Sequence, residues 1–165
     1  MFVGFRTFIH VLLACTCLPA AVAYARVGEA EVREGPRGGP CFTITPHEER
    51  LGTPDFQGIV VWEGAHPLWK MTMPKERTFP LTYGMCVPYG GRVASLPRTV
   101  SGPLVPGRIY SLRIEARPGG GGRTAPFYEA RFCLARQHDG SAAVHQIANA
   151  DRERPRMAGC LPPGD

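Results

Sequence analysis

The 165-residue sequence predicts an all-β protein, an antiparallel β-sandwich of seven or eight short, disulfide-linked strands. Three observations lead to this class. The chain has 20 glycines and 17 prolines, and both residues weaken or break helix interiors. Several segments alternate apolar and polar residues with the period of two that is typical of half-buried strands. Turn residues separate these segments at regular, short intervals, as in sandwiches.

The first half of the chain contains four predicted strands. A turn-rich stretch, 34–40, precedes an alternating strand, and a β-branched run ending at Trp62 indicates a more central strand. In the next strand Trp69 and Met71 lie on the predicted core face. Strands are therefore expected at 41–45, 56–63, 68–73 and 84–88, with a loop at 46–55.

The second half contains the two clearest strands. Residues 108–117 alternate strictly, and residues 125–136 follow after a glycine run. That run, 118–122, is predicted to be a hairpin loop and not a phosphate cradle, because a strand and not a helix follows it. A last strand is expected at 142–148. The predicted core face of the first strand consists of Tyr110, Leu112, Ile114 and Ala116.

A tyrosine corner is predicted immediately before strand 108–117. The pattern L-x-P-G-x-x-Y is formed by Leu104, Pro106, Gly107 and Tyr110. It resembles the corner of fibronectin type III and other immunoglobulin-like sandwiches, in which the tyrosine hydroxyl bonds back to upstream backbone. The resemblance implies that the predicted fold is an immunoglobulin-like antiparallel β-sandwich, and these four residues are expected to be part of its scaffold.

The chain is expected to consist of a signal peptide (1–25), a β-sandwich domain (26–149) and a C-terminal tail (150–165). Arg6 precedes a short apolar stretch, and two A-x-A cleavage patterns end at Ala23 and Ala25. The apolar stretch is shorter than the roughly 20 residues that a spanning helix needs, so no transmembrane segment is predicted. We expect a periplasmic protein. The less favoured alternative is an outer-membrane lipoprotein that is lipidated at Cys15.

Four cysteines remain after cleavage at this site: Cys41, Cys86, Cys133 and Cys160. An even number of cysteines in an exported protein indicates two disulfides. Three pairings are open. We favour Cys41–Cys86 with Cys133–Cys160, because Cys160 follows a polar tail that needs an anchor and Cys133 lies on a clear strand.

Charge and motifs exclude several functions. The net charge of +5 comes from basic residues that are interleaved with acidic ones, so no nucleic-acid partner is predicted. Nucleophile-elbow, zinc-protease, P-loop and Rossmann motifs are lacking, so we predict no enzyme, no catalytic residues, no metal and no cofactor. His47-Glu48-Glu49 is interpreted as a solvated polar turn.

An aromatic cluster supplies the candidate binding surface. Aromatic side chains and arginines dominate binding hot spots, which favours a surface formed by Trp69, Tyr83, Tyr89 and Arg92. Trp62 follows an apolar run and is predicted to pack in the core.

The cysteine-bearing segments resemble a known family. They are G-G-P-Cys41-Phe42-Thr43-Ile44, a Trp-bearing strand, Gly84-Met85-Cys86-Val87-Pro88, Pro106-Gly107 to Tyr110, and Arg131-Phe132-Cys133. Together, over residues 38–136, they resemble small exported bacterial proteins, often lipoproteins, that are described as periplasmic immunity proteins of type VI secretion. The chain differs in having Val87-Pro88-Tyr89 where the family has a double proline, and in lacking a clear lipobox. The resemblance supports the Cys41–Cys86 pair and supplies no catalytic residue.

Three hypotheses follow from these observations. In the first, the protein binds a toxin effector delivered into the periplasm and covers its active site without covalent chemistry. In the second, it is a carbohydrate- or envelope-binding module that uses exposed aromatic side chains. In the third, an unrecognised pair of carboxylates makes it a hydrolase.

Overall fold

The structure is a computed structural model that describes residues 26–36, 38–91, 99–119, 123–148 and 160. The predicted signal peptide with Cys15, the candidate residue Arg92, residues 120–122 of the glycine run and nearly all of the predicted tail lie outside the described residues. Of the described residues, 51% are in strands and 4% in helix, which confirms the all-β class.

Nine strands and one short helix make up the described elements. Two of the strands, β1 and β5, and the helix α1 were not expected, and α1 lies in the predicted loop 46–55. The elements in chain order are β1 Val27–Glu34, β2 Pro40–Ile44, α1 Pro46–Arg50, β3 Asp55–Glu63, β4 His66–Thr72, β5 Phe79–Pro80, β6 Val87–Pro88, β7 Ile109–Arg117, β8 Phe127–Arg136 and β9 Ala142–Ile147.

The strands form one continuous, curled sheet with the order β4-β3-β7-β8-β1-β2-β6. Strand β5 pairs with β3, and β9 pairs with β8. The pairing differs from the expected antiparallel arrangement at β1 and β8, which run parallel over Val27–Glu29 and Phe127–Glu129. This pair joins the first described strand to one that is 100 residues later in the chain (Val27 opposite Phe127), so only tertiary packing brings them together.

The curl brings the two ends of the sheet face to face across the core. The ring of Phe42 on β2 lies 6.3 Å from that of Trp69 on β4 and 5.5 Å from that of Phe132 on β8. Because β2 and β4 lie near opposite ends of the strand order, such contacts require one layer to fold over the other. The result is the sandwich-like core that the alternating strands predict.

The predicted core faces agree with the structure. All four inward residues of β7 are buried, and so are Trp69 and Met71 of β4 with the following Met73. Leu104 packs against this core. The Tyr110 hydroxyl accepts a hydrogen bond from the Val105 backbone N–H (2.7 Å) and donates one to the Val105 carbonyl (3.2 Å), which is the contact that a tyrosine corner requires. Gly107 turns the chain there with a positive φ of 84°.

Both favoured disulfides are present. Cys41 pairs with Cys86 at a Cα–Cα distance of 5.4 Å, and Cys133 pairs with Cys160 at 5.7 Å. Cys133 follows the buried Phe132, so the two side chains point to opposite faces of β8. On that opposite face Cys133, Cys160 and Ile147 form a second, small buried cluster.

One edge of β8 is shared by two strands. β7 occupies the other edge, so β1 pairs with the first part of β8 and β9 with the second part. The Gln146 side chain of β9 connects β9 to β1 at the point where these two strands diverge along β8. Its Oε1 accepts from the Val32 N–H (2.6 Å), and its Nε2 donates to the Ala30 carbonyl (3.2 Å), so it replaces the missing strand neighbour of β1.

We expect the substitution Gln146→Ala to lower the free energy of unfolding by about 1–3 kcal/mol, because it leaves two partly buried backbone groups of β1 without their partner. Urea unfolding of the purified protein measures this change. His145→Ala is the matched control, since His145 is an exposed neighbour on the same strand and should change stability by less than about 0.5 kcal/mol. Equal urea midpoints for the two variants would show that the Gln146 side chain does not stabilise the contact between β1 and β9.

Candidate functional site

The face of the sheet that points away from the main core carries a cluster of aromatic and charged side chains. Val61, Leu112 and Ala130 are buried in the core, so their strand neighbours point to the opposite side, which we term the outer face. In the strand register Trp62 lies opposite Ser111, and Ser111 lies opposite Arg131. The next outward row pairs Arg113 with Glu129.

A cleft of about 450 Å³ opens on this outer face, and we term it the Trp62 cleft. Trp62 is half-buried and forms one wall, and the β3–β4 turn at Gly64 and Ala65 adds to the rim. Ser111 lies between the two large side chains of Trp62 and Arg131 in the strand register. Because its own side chain is small, it forms the floor of the cleft. The cleft is lined by Trp62, Gly64, Ala65, Ser111, Leu112, Arg113, Glu129, Ala130 and Arg131.

The charged side chains of the Trp62 cleft are held in place by one another. The Nε and Nη2 atoms of Arg113 contact Glu129 Oε1 at 2.8 and 2.6 Å, and the guanidinium lies 5.3 Å from the centre of the Phe127 ring. Beside this row, Arg108 pairs with Glu63. Such exposed pairs add little to stability, so their main effect here is to orient the arginines.

One residue of the predicted binding surface lies in the interior, and a second is half-buried against it. Trp69 is only 1% exposed, and its indole N–H donates to Thr99 Oγ1 at 3.1 Å, so it lies on the predicted core face of β4 and its assignment to the binding surface is wrong. Tyr89 is half-buried with its ring 5.4 Å from that of Trp69, and its hydroxyl donates to the Gly102 carbonyl at 2.8 Å. Burial, with a smaller effect of the nearby Tyr110, raises the pKa of Tyr89 to about 12. The period-two alternation of β4 places Trp69 inward, and Trp62 occupies the outer position.

The other predicted surface residues lie apart from the Trp62 cleft. Tyr83 is half-buried; the guanidinium of Arg33 lies 4.8 Å from its ring centre and donates to its backbone carbonyl at 2.6 Å. Tyr89 lines a smaller hollow of about 310 Å³ beside Cys86 and the turn that contains Gly38. The four predicted residues therefore do not form one site, and Arg92 lies outside the described residues.

An ion pair with a buried carboxylate replaces the predicted solvated turn at His47-Glu48-Glu49. The Glu48 side chain is 5% exposed and receives both Nη groups of Arg26, at 2.8 and 2.7 Å, with the Glu29 N–H at 3.3 Å. Burial raises the pKa of Glu48, but the bonds from Arg26 and Glu29 outweigh it, so the net pKa lies below the usual value. Because these donors already engage the carboxylate, we assign it a structural role.

The sequence motif T-P-H-E at residues 45–48 is the signal from which the helix α1 could have been predicted. A threonine followed three residues later by glutamate marks a helix N-terminus, and Thr45 does cap α1 by accepting from the Glu48 N–H at 3.3 Å. The sequence alone gives no indication of the partner Arg26, which lies 22 residues earlier in the chain.

The described part of the chain contains no group of three or more His, Cys, Asp or Glu side chains that could hold a metal ion. Within the same residues no helix is both long and apolar enough to cross a membrane.

Fold and site together define an all-β protein with two disulfides and a polar cleft, walled by a tryptophan, on the outer face of its sheet. Comparison of the chain with protein-family models, with curated proteins and with solved structures gives no match.

Proposed function

We propose that this protein is an exported binding protein that acts as a periplasmic immunity protein and neutralises a toxin of type VI secretion by non-covalent occlusion. The signal-peptide pattern and the two disulfides support export to an oxidising compartment. The resemblance of the cysteine-bearing segments to such immunity proteins supports the role.

The half-buried Trp62 in an arginine-lined cleft is the observation that carries the proposal. Tryptophan and arginine are the residues most enriched in binding hot spots, and hot spots lie in pockets from which the partner excludes water. The Trp62 cleft combines both residue types on three paired strands, β3, β7 and β8. It is therefore the surface that we assign to the toxin.

The proposed mechanism is steric blocking by a rigid surface. Strands joined by backbone hydrogen bonds lose little conformational entropy on binding, so more of the contact energy remains as affinity. The net charge of +5, or +4 once Arg6 is removed with the signal peptide, favours a partner with an acidic surface and speeds encounter with it. No bond of the toxin is made or broken in this mechanism.

A co-culture experiment tests the proposal. A strain that lacks this gene is grown with its parent, which delivers the toxin, and its survival is compared after complementation with wild type, Trp62→Ala or the control Thr72→Ala. Thr72 is exposed on β4 and lies outside the cleft lining. Wild type and Thr72→Ala should restore survival, whereas Trp62→Ala should not, because loss of a hot-spot tryptophan weakens binding by about 30-fold or more.

The same experiment defines the contrary result. If the deletion strain survives as well as its parent, the immunity role is wrong. Comparable amounts of the variants in periplasmic extracts show that Trp62→Ala has folded, so that a loss of survival reports on binding.

A carbohydrate-binding function is the second candidate, and the same cleft favours it, because an aromatic ring beside charged hydrogen-bonding groups can also hold a sugar ring. Binding of the wild type on a glycan array, lost in Trp62→Ala, would support this function over the first.

A further inference from the structure

We infer that the Cys41–Cys86 disulfide is a site of thiol–disulfide exchange in the folded protein, at which an external dithiol attacks the Cys86 sulfur. The Cys133–Cys160 disulfide is expected to stay intact under the same conditions. This inference goes beyond the proposed binding function. The site is the hollow of about 310 Å³ beside Cys86, which we term the Cys86 hollow and which shares no lining residue with the Trp62 cleft.

The four bridged cysteines differ in their exposure. Cys41 is 1% exposed, and Cys133 and Cys160 are 0% and 3% exposed. Cys86 is half-buried and lines the Cys86 hollow. Exchange requires that a thiolate reaches one of the two sulfur atoms of a bridge. Cys86 is therefore the cysteine that an external thiolate can reach without unfolding of the protein.

The wall of the Cys86 hollow leaves room for an incoming thiolate. A Cβ at Gly38 or at Gly39 would meet no atom within 4 Å, so this side of the hollow is open. None of the described residues that line the hollow is charged, so no carboxylate among them repels a thiolate. A Cβ at Gly35 would lie 3.7 Å from the Cys41 Sγ, which shows that the same turn packs over Cys41.

Hydrogen bonds on both sides of Cys86 hold this segment in place in addition to the bridge. On the N-terminal side the Thr82 carbonyl accepts a bond from Thr43 Oγ1 at 2.8 Å. On the C-terminal side the Tyr89 N–H donates to the Pro40 carbonyl at 2.9 Å. The two sulfur atoms therefore stay close after the bridge opens, and a mixed disulfide with a monothiol is readily reversed. For this reason the inference names a dithiol.

The exchange consists of two balanced steps. In the first, one thiolate of the dithiol forms a bond to the Cys86 Sγ, and the electron pair of the broken S–S bond leaves on the Cys41 Sγ, which takes up a proton. In the second, the other thiolate of the dithiol attacks its own partner sulfur in the mixed disulfide and releases Cys86, which also takes up a proton. The dithiol is oxidised to a disulfide, and the bridge is reduced to two thiols.

The second bridge serves as an internal reference. The two disulfides have sequence separations of 45 and 27 residues, so in the chain-entropy model they stabilise the fold to a similar extent. Cys133 and Cys160 are buried in an apolar cluster with Ile147, against which Ile109 packs. A thiolate reaches this bridge only when the cluster opens. The difference that we expect between the bridges is therefore one of rate.

The first test measures the order in which the bridges are reduced. Oxidised protein purified from the periplasm is treated with dithiothreitol and quenched with iodoacetamide at intervals, and peptide mapping by mass spectrometry follows each bridge. We expect Cys41–Cys86 to be reduced about tenfold faster than Cys133–Cys160, at a rate proportional to the dithiothreitol concentration, because exchange is limited by access to sulfur. Equal rates, or the opposite order, would overturn the inference, since the bridges would then open through unfolding.

Two single-cysteine variants identify the sulfur that is attacked. Cys41→Ala leaves Cys86 free, and Cys86→Ala leaves Cys41 free. Both variants lack the same bridge, so a difference in their reactivity reports on access and not on stability. The free Cys86 thiol should react with dithiodipyridine about tenfold faster than the free Cys41 thiol. Equal rates, or a faster Cys41, would contradict attack at Cys86.

A charge placed at Pro36 tests the route of approach, because Pro36 is exposed and lines the Cys86 hollow. Pro36→Glu should slow the reduction of Cys41–Cys86 by dithiothreitol about threefold relative to its control Pro36→Gln, since like charges repel. Added salt should remove this difference. Identical rates of the two variants at low salt would show that the thiolate does not enter through the hollow, and the assignment of the site would be wrong.

Reduced thioredoxin in place of dithiothreitol distinguishes the two sources of a dithiol. If both reagents cleave Cys41–Cys86 before Cys133–Cys160, the site accepts a protein dithiol. If only dithiothreitol does so, the site accepts small dithiols. If neither reagent cleaves Cys41–Cys86 while the protein is folded, the inference is wrong.

Discussion

Replacing both Cys41 and Cys86 by alanine is expected to lower the free energy of unfolding by about 4 kcal/mol. The disulfide closes a loop with a sequence separation of 45 residues, and in the chain-entropy model a loop of this length restricts the unfolded chain by about that amount. The bridge also anchors β6, the last strand in the sheet order, because β6 is only two residues long and pairs with β2 through just two residue pairs. Backbone bonding alone anchors this segment weakly.

Urea unfolding of the oxidised wild type, the reduced wild type and the double variant measures the effect. Reduced wild type and the Cys41→Ala/Cys86→Ala variant should both unfold at lower urea concentration than oxidised wild type. The Cys133→Ala/Cys160→Ala pair is the matched comparison, with a sequence separation of 27 and an expected loss of about 3.5 kcal/mol. Identical midpoints before and after reduction would mean that the bridges are not structural.

Replacing Arg26 by methionine is expected to lower the free energy of unfolding by about 3 kcal/mol at pH 7. The substitution leaves the Glu48 carboxylate buried with the Glu29 N–H as its remaining hydrogen-bond donor, and an unpaired buried charge is costly. Glu48→Leu should cost less, because the Arg26 side chain is 41% exposed and can be hydrated when its partner is gone. We therefore expect Arg26→Met to lower the free energy of unfolding more than Glu48→Leu does.

The same pair predicts how stability depends on pH. The pKa of Glu48 is lower in the folded protein than in the unfolded chain, so the unfolded state binds more protons between the two values. The contribution of the pair is therefore complete above the unfolded pKa, near 4.5, and is lost as the pH falls through the folded pKa. Arg26→Met should not show this loss.

Urea midpoints between pH 3 and pH 7 test both expectations. Arg113→Met is the control, because it removes an arginine from a pair with side chains 45% and 29% exposed and should cost less than about 1 kcal/mol. Equal losses for Arg26→Met and Arg113→Met would show that burial of Glu48 does not matter.

The strands that were predicted well are those whose own residues alternate clearly. In β7 the inward series from Tyr110 to Ala116 is apolar and the outward series is polar, so burial of one face requires no other information. β1 was missed because its inward residues begin with Gly28 and Ala30, which carry little or no apolar side chain. Gly28 is required by tertiary contact, since a Cβ there would lie 2.5 Å from the Tyr128 ring.

The Trp62 cleft was not predicted from the sequence. The expected surface contained Trp69, which is buried, whereas Trp62 was expected in the core and lines a cleft beside two arginines. The apolar run before Trp62 suggested burial on both faces of β3. On the outer face of β3, however, Trp62 borders a cleft, because the Ser111 side chain on the neighbouring strand is too small to cover the Trp62 indole.

By itself, the sequence determined the all-β class, the core faces of the alternating strands and the tyrosine corner, because these depend on residues that are near one another in the chain. The disulfide pairing depended on both the sequence and the tertiary structure. The even cysteine count indicated two bridges, and the fold selected the favoured pairing among the three possible ones. Only the tertiary structure decided the parallel β1–β8 pair, the burial of Glu48 against Arg26 and the position of the Trp62 cleft. Each of these depends on which distant strands become neighbours, and the period of two within one strand carries no information about the side chains that its neighbours place beside it.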